Sequence, residues 1–339
     1  MGYCTGMVRL RTVRPGSKGW TRRRVGKGFT YVDDTGARIR PADVERIKSL
    51  AIPPAWESVW ICPVPNGHIQ AVGVDSAGRK QYLYHPDWRT KRDAMKFDRV
   101  LEVARQLSVT RASVLEHLAL PGMPLERAAA TAVRLLDLGY FRIGSDAYTD
   151  ENGTFGLTTL ERRHVMRRRG RLVFSFTGKS GVDHCIEIDD PLSIQAVETM
   201  RRRRSQDARL MAYQVDRRWL PLDAPRVNDY LRTSTGGDMT AKDFRTWHAT
   251  VLAAAALADT SEPGDTQVSR KRAIRQAMVE VSTYLGNTPA IARASYVDPR
   301  VVDLYQDGVT IGAVVHEEHP TAEERQAAIE QAVLKMLAA

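Results

Sequence analysis

A chain of 339 residues with 43% apolar and 27% charged side chains exceeds the roughly 250 to 300 residues at which single cores stop growing, so two packed domains are expected and a disordered tail is excluded. No run approaches the roughly 18 apolar residues of a membrane span, and the opening residues carry Arg9, Arg11 and Arg14 without an apolar stretch of secretory length, so a cytoplasmic protein is expected. The net charge of +10 is concentrated: residues 1–40 hold ten Lys or Arg against Asp33 and Asp34, an excess of +8. Arg162, Arg163, Arg167 to Arg169, Arg171 and Arg201 to Arg204 form further clusters. Patches of this kind attract a polyanion, because each phosphate contact releases counterions, and they point to nucleic acid as partner. Cys4, Cys62 and Cys185 show no CxxC or Cys/His spacing, which argues against a disulfide framework or a zinc site.

In chain order, residues 1–27 are rich in Arg and Gly and lack periodicity, the pattern of a flexible basic arm. Residues 29–32, 59–64, 69–74 and 81–84 read as strands, separated by turns at Asp34-Thr-Gly36, Pro65-Asn-Gly67 and Ala77-Gly78. One short helix at 42–50 is closed off by Pro53-Pro54. This predicts a small, mainly β domain over 28–92, with the joint in the polar segment 86–92. Helical periodicity follows at 93–107, 112–117, 125–138, 191–203, 225–233, 241–257, 269–285, 299–306 and 322–337. The exception is 156–188, where strands 171–176 and 182–188 flank Thr177-Gly-Lys-Ser-Gly181, a hairpin turn with Lys179 at its tip. The fold class is therefore α+β: a mainly α domain over 93–310 carrying a β-hairpin, then a helical tail over 311–339.

Phosphoryl transfer at a nucleic-acid backbone needs a nucleophile, cationic donors for the charge on the non-bridging oxygens, and an acid for the leaving oxygen. Arg142 stands in Tyr140-Phe-Arg-Ile-Gly-Ser145, just after an amphipathic helix. Arg245 stands in Thr240-Ala-Lys-Asp-Phe-Arg-Thr-Trp-His248, where Thr240 and Asp243 resemble a capping box and place Lys242 and Arg245 in the first turns of a helix, an end that favours phosphate. Tyr296 falls between two helix starts, Thr288-Pro289 and Asp298-Pro299, and so lies in a reachable link. Each residue alone fits an exposed arginine or a packed tyrosine; their order is what sets them apart. Gly178-Lys179-Ser180 ends like a phosphate-binding P-loop, but that loop needs glycine at position 173, which is Val. Asp189-Asp190 before Pro191 reads as a helix start, not a metal cluster.

Taken together, residues 20–306 resemble the type IB DNA topoisomerases, specifically the small poxvirus-like branch with bacterial members. Arg142, the hairpin Lys179, Arg245 and Tyr296 fall in that family's order and approximate spacing. Gly78-Arg-Lys-Gln-Tyr-Leu-Tyr84, with Trp88 and Arg92, is similar to the family's DNA-facing strand. The resemblance implies that Arg79, Lys80, Gln81, Tyr82, Tyr84, Arg92 and Lys242 contact DNA. It further implies a catalytic domain of the tyrosine recombinase and topoisomerase IB kind, and an enzyme that nicks one strand, lets the duplex swivel and reseals it without ATP, metal or other cofactor. A monomer that clamps double-stranded DNA and associates with the nucleoid is expected. One position departs from the pattern: relatives place histidine nine residues before the tyrosine, and this chain has Asn287, whose amide can still donate to a phosphate oxygen. His248, three residues after Arg245, is a candidate substitute. The alternatives are a tyrosine site-specific recombinase, which would show His-x-x-Arg where Lys242 precedes Arg245, and a non-catalytic architectural DNA binder.

Overall fold

The first strand forms where composition suggested a disordered arm. In this computed structural model, which describes residues 9–145, 149, 153–259 and 266–338, β1 (Trp20–Val25) pairs antiparallel with β2 (Gly28–Val32). Its arginines do not keep it in solvent. Arg22 lays its guanidinium 4.2 Å from the Phe29 ring centre and donates to the carbonyls of Ile52, Pro53 and Trp56. A long cationic side chain can thus cover apolar surface while its head finds oxygen. Residues 1–8 of the expected arm, Cys4 among them, lie outside the described residues.

The chain divides into two compact units, Met1–Asp98 and Arg99–Ala339. The first is a five-stranded sheet in the order β2-β1-β3-β4-β5, completed by β3 (Glu57–Ile61), β4 (Ile69–Val74) and β5 (Lys80–Tyr84). Helix α1 (Pro41–Ser49) sets Ile47 against Val59, Ile61 and Ala71, with Trp20, Trp56 and Leu83 packed around them. Helix α2 (Pro86–Arg105) occupies the segment in which a joint was expected. Its first half is polar, which is why it read as a linker; Phe97, Val100 and Leu101 in its second half are buried.

The second unit is built around α4 (Leu125–Gly139), of which all but three residues are buried. Its run Ala128-Ala129-Ala130 lets neighbours approach closely, among them α3 (Leu107–Leu118), α5 (Pro191–Arg201) and α6 (Ala224–Thr235). Beside α4 lies a three-stranded sheet, β6 (Val165–Arg168), β7 (Arg171–Gly178) and β8 (Val182–Ile188), with β7 in the middle. Two four-residue strands, β9 (Ala212–Val215) and β10 (Arg218–Pro221), make a hairpin too short for sequence periodicity to reveal. The rest is helical: α7 (Ala241–Asp259), α8 (Gln267–Leu285), α9 (Pro289–Ser295), α10 (Pro299–Gln306), α11 (Gly312–Val315) and α12 (Ala322–Ala338). Residues 311–338 do not trail away from this unit. Ile329, Val333, Leu334 and Leu337 of α12 are buried in the same core as α4 and α7. No helix among the described residues is long and apolar enough to cross a membrane.

Candidate active site

Arg245 is fixed by the start of α7. The backbone N–H and hydroxyl of Thr240 both donate to Asp243 Oδ2 at 2.8 Å, and Arg99 donates to the other carboxylate oxygen at 2.5 Å. Half of the expected capping box thus forms; the Thr240 hydroxyl serves as donor to Asp243 instead of accepting its N–H. One turn on, Arg245 is only 4% exposed. Its guanidinium donates to the carbonyl of Tyr140 and, at 2.6 Å, to that of Leu285. No carboxylate among the described residues pairs with it. Burial, then the neighbouring Arg142 charge, pushes its pKa down to about 10, so it remains cationic at neutral pH.

Arg142 is aimed by the end of α4. Tyr140 takes the left-handed conformation (φ 54°) that stops the helix, Phe141 turns into the core, and Arg142 emerges half-buried. Its Nη1 stands 3.4 Å from Tyr296 Oη and its Nη2 3.4 Å from the Gly286 carbonyl oxygen. Tyr296 follows α9 directly, and Asp298 caps α10 two residues later, so the tyrosine sits in the expected link between two proline-started helices. Thr250, on α7, pins this link. Its hydroxyl lies 2.9 and 3.3 Å from the carbonyls of Thr246 and Tyr296 and accepts the Asp298 N–H at 3.1 Å. Burial raises the Tyr296 pKa, but the charges of Arg245 and Arg142 outweigh it and leave the phenol below its ordinary value near 10. Arg245 also stands 5.5 Å from the centre of the Tyr296 ring.

Lys179 occupies the tip between β7 and β8, where Ser180 and Gly181 both have positive φ. It lines one cavity of about 430 Å³ together with Arg142, Lys242, Arg245 and Tyr296. Asn287 immediately follows Gly286, and both ends of its amide are buried without a hydrogen-bond partner, as are the Nε groups of Arg142 and Arg245. Among the described residues, these three N–H donors are therefore desolvated without a partner, a costly state.

His248 does not join this group. It is 3% exposed, and its Nε2 lies 3.0 Å from Asp137 Oδ1, away from the cavity. Asp137 also accepts two hydrogen bonds from Arg111, which binds Glu330 of α12 in turn. Burial alone would raise the Asp137 pKa; the bonds from Arg111 and His248 win and hold it well below the carboxylate range.

The residues expected on a DNA-facing strand separate. Lys80, Tyr82 and Tyr84 share one face of β5, with the two tyrosine rings stacked 6.0 Å apart and Lys80 Nζ 5.9 Å from the Tyr82 ring centre. Gln81 alternates to the other face and donates to Asp75 at 2.9 Å. Arg79 pairs with the same carboxylate at 2.8 Å; these bonds hold Asp75 at a pKa of about 2. Arg92 is exposed on α2. Two residues that sequence reasoning passed over belong to the surroundings of the cavity: Thr250, and His184, whose ring lies against Gly178 and Gly286. Neither carries a local sequence signal, since each acts across long sequence separations.

Comparison with known proteins identifies the family. Residues 85–311 match the family model of the eukaryotic DNA topoisomerase I catalytic core, and residues 28–75 that of the bacterial DNA topoisomerase IB N-terminal domain. The chain belongs to the type IB DNA topoisomerases. It is 27% identical over 299 residues to DNA topoisomerase 1B of Acanthamoeba polyphaga mimivirus, covering 86% of this chain and 88% of that protein. DNA topoisomerase 1B of Vaccinia virus is 28% identical over 116 residues, 33% of this chain and 36% of the viral protein. DNA topoisomerase 1 of Schizosaccharomyces pombe is 31% identical over 137 residues, 40% of this chain but 16% of the yeast protein.

Proposed function

We propose that this chain relaxes supercoiled double-stranded DNA by transient cleavage of one strand through Tyr296. The observation that carries the reading is the pairing of a reachable phenol with two guanidiniums that have no carboxylate partner among the described residues: Arg142 3.4 Å from Tyr296 Oη, and Arg245 buried beside the ring. A buried cation without a counter-ion is a site for an anion, and the backbone phosphate supplies one. The helical unit then has the catalytic fold that type IB topoisomerases share with tyrosine recombinases.

In the step proposed, the Tyr296 proton leaves to solvent and the phenolate attacks the scissile phosphorus. Arg142, Arg245 and Asn287 donate to the non-bridging oxygens through the groups now lacking partners. The bond to the 5′-oxygen breaks, Lys179 gives that oxygen its proton, and a 3′-phosphotyrosine remains. One phosphoester replaces another, so the step balances without ATP or metal, and reversal reseals the strand after the duplex swivels. Arginine suits the work because it stays charged and meets phosphate bidentately. The reading extends to a monomer that clamps duplex DNA, with Lys80, Tyr82, Tyr84, Arg92 and Lys242 among its contacts, Arg79 and Gln81 reaching DNA once released from Asp75, and affinity that falls steeply with salt.

The test is plasmid relaxation in EDTA without nucleotide, run beside trapping of the covalent adduct on a suicide duplex. Wild-type protein should relax supercoils of both signs and form a 3′-linked adduct. Tyr296→Phe should bind the duplex and form none. A strict magnesium or ATP requirement, or an adduct on the Phe variant, overturns the reading.

A further inference from the structure

The histidine packed against the backbone that carries Lys179 and Asn287 is not the one its helix position suggested. His184, on β8, is half-buried, and its imidazole fills the gap between two glycines. A Cβ at Gly178, the last residue of β7, would lie 2.7 Å from its Cδ2 and Nε2; a Cβ at Gly286 would lie 2.3 Å from its Cε1. Real Cβ atoms do not approach so closely, so the ring touches both backbones. Its flat face stacks on Phe176 (5.1 Å between centres, 19° between planes), and Phe176 stacks on Phe141 (5.9 Å, 13°), the residue before Arg142. The column Phe141, Phe176, His184 thus joins three pieces of backbone: the segment that aims Arg142, the hairpin that carries Lys179 at its tip, and the turn Gly286-Asn287. Arg142 and Arg245 hold the far side of that turn through the carbonyls of Gly286 and Leu285. Burial first, then the charges of Arg245 and Arg142, lowers the His184 pKa despite Asp183, so the ring is neutral at physiological pH and acts through shape.

We infer that His184 is a positioning residue: its ring sets the spacing between the Lys179 hairpin and the Gly286-Asn287 turn, and thereby places the lysine ammonium on the leaving 5′-oxygen. Lys179 is the next residue after Gly178, so a shift of Gly178 moves the lysine directly. A displacement of about 1 Å can cost on the order of 100-fold in rate. The inference rests on the proposed role of Lys179 as acid.

The experiment compares single-turnover cleavage of suicide duplexes bearing oxygen or sulfur at the 5′-bridging position, since a thiolate leaves without a proton. Lys179→Ala, His184→Ala and the double variant are measured, with thermal unfolding followed for each. Lys179→Ala should be slow on oxygen and recover most of its rate on sulfur; if it does not, the lysine assignment itself fails. Given that recovery, His184→Ala should be roughly 10- to 100-fold slow on oxygen, should also recover on sulfur, and should add nothing to Lys179→Ala. Wild-type rates on oxygen, equal slowing on both substrates, or additive losses in the double variant overturn the role of His184. Should His184→Ala fail to fold, Gly178→Ala decides by the same criteria. Gly178 has φ −96°, which alanine adopts freely, so its only close new contact is with the ring; the Val182 carbonyl, 3.6 Å away, is at ordinary van der Waals distance.

Discussion

Two neighbouring clusters beside α7 hold arginine in opposite ways. In one, half-buried Arg111 meets the buried carboxylates of Asp137 and Glu330, with His248 completing the group, so each charge has its counterpart within hydrogen-bonding distance. In the other, Arg245 is more deeply buried, yet it meets carbonyl oxygens and no carboxylate among the described residues, with Arg142 adding to the positive charge. The first arrangement is closed and holds helices together. The second is open, and in the proposed reaction a backbone phosphate completes it. Under the proposed reading, the presence or absence of a carboxylate partner distinguishes scaffold from site.

Removing one partner from the closed cluster should have the largest effect. Asp137→Ala leaves Arg111 with Glu330 alone and buried His248 without its carboxylate partner, and should cost about 3 to 5 kcal/mol of stability, read by denaturant unfolding. The sign of its pH dependence follows from the lowered pKa of Asp137. Its contribution is complete above the unfolded carboxylate value near 4 and is lost as pH falls through the lower folded value. The gap between wild type and variant should therefore persist at pH 5 to 7 and close in stronger acid. A gap that widens in acid would break the comparison.

In the open cluster Arg245→Ala should slow cleavage by about 10² to 10³-fold, the usual loss for one donor to a developing oxyanion. Sulfate should raise the melting temperature of the wild type and not that of this variant. Equal stabilisation of both would show that the anion binds elsewhere. Cleavage by the wild type should rise with pH and level off below the ordinary phenol pKa near 10; in Arg245→Ala the break should move upward, because the larger of the two lowering charges is gone. Thr250→Val should give the smallest effect, about 1 to 3 kcal/mol from the unpaired Asp298 N–H, with slower cleavage and unchanged DNA affinity.

Much of this was legible along the chain where the signal is local. Proline after Thr288 and after Asp298 announced the link that carries Tyr296, Thr177 to Gly181 announced the hairpin tip of Lys179, and Thr240 with Asp243 announced the start of α7. Long-range pairings were not legible. Trp20–Val25 looked disordered because its arginines mask a strand whose partners include carbonyls thirty and more residues away. His248 looked like a site residue because it lies one turn from Arg245, yet the carboxylate that claims it comes from α4. Thr250 and His184 gave no signal, since what distinguishes them is what they touch.

The pairing of Arg111 with Glu330 joins positions 219 residues apart. At about 5 to 20 residues per second of synthesis, Arg111 and Asp137 leave the ribosome roughly 10 to 45 seconds before their last partner. Closing a loop of that size costs about 5 kcal/mol of chain entropy, which helix α12 offsets with its buried Ile329, Val333 and Leu337. Arg142, Lys179, Arg245 and Tyr296 are all translated inside that interval. The growing chain therefore holds every proposed catalytic group before Glu330 can join Arg111, and this part of the scaffold is complete only once α12 has formed.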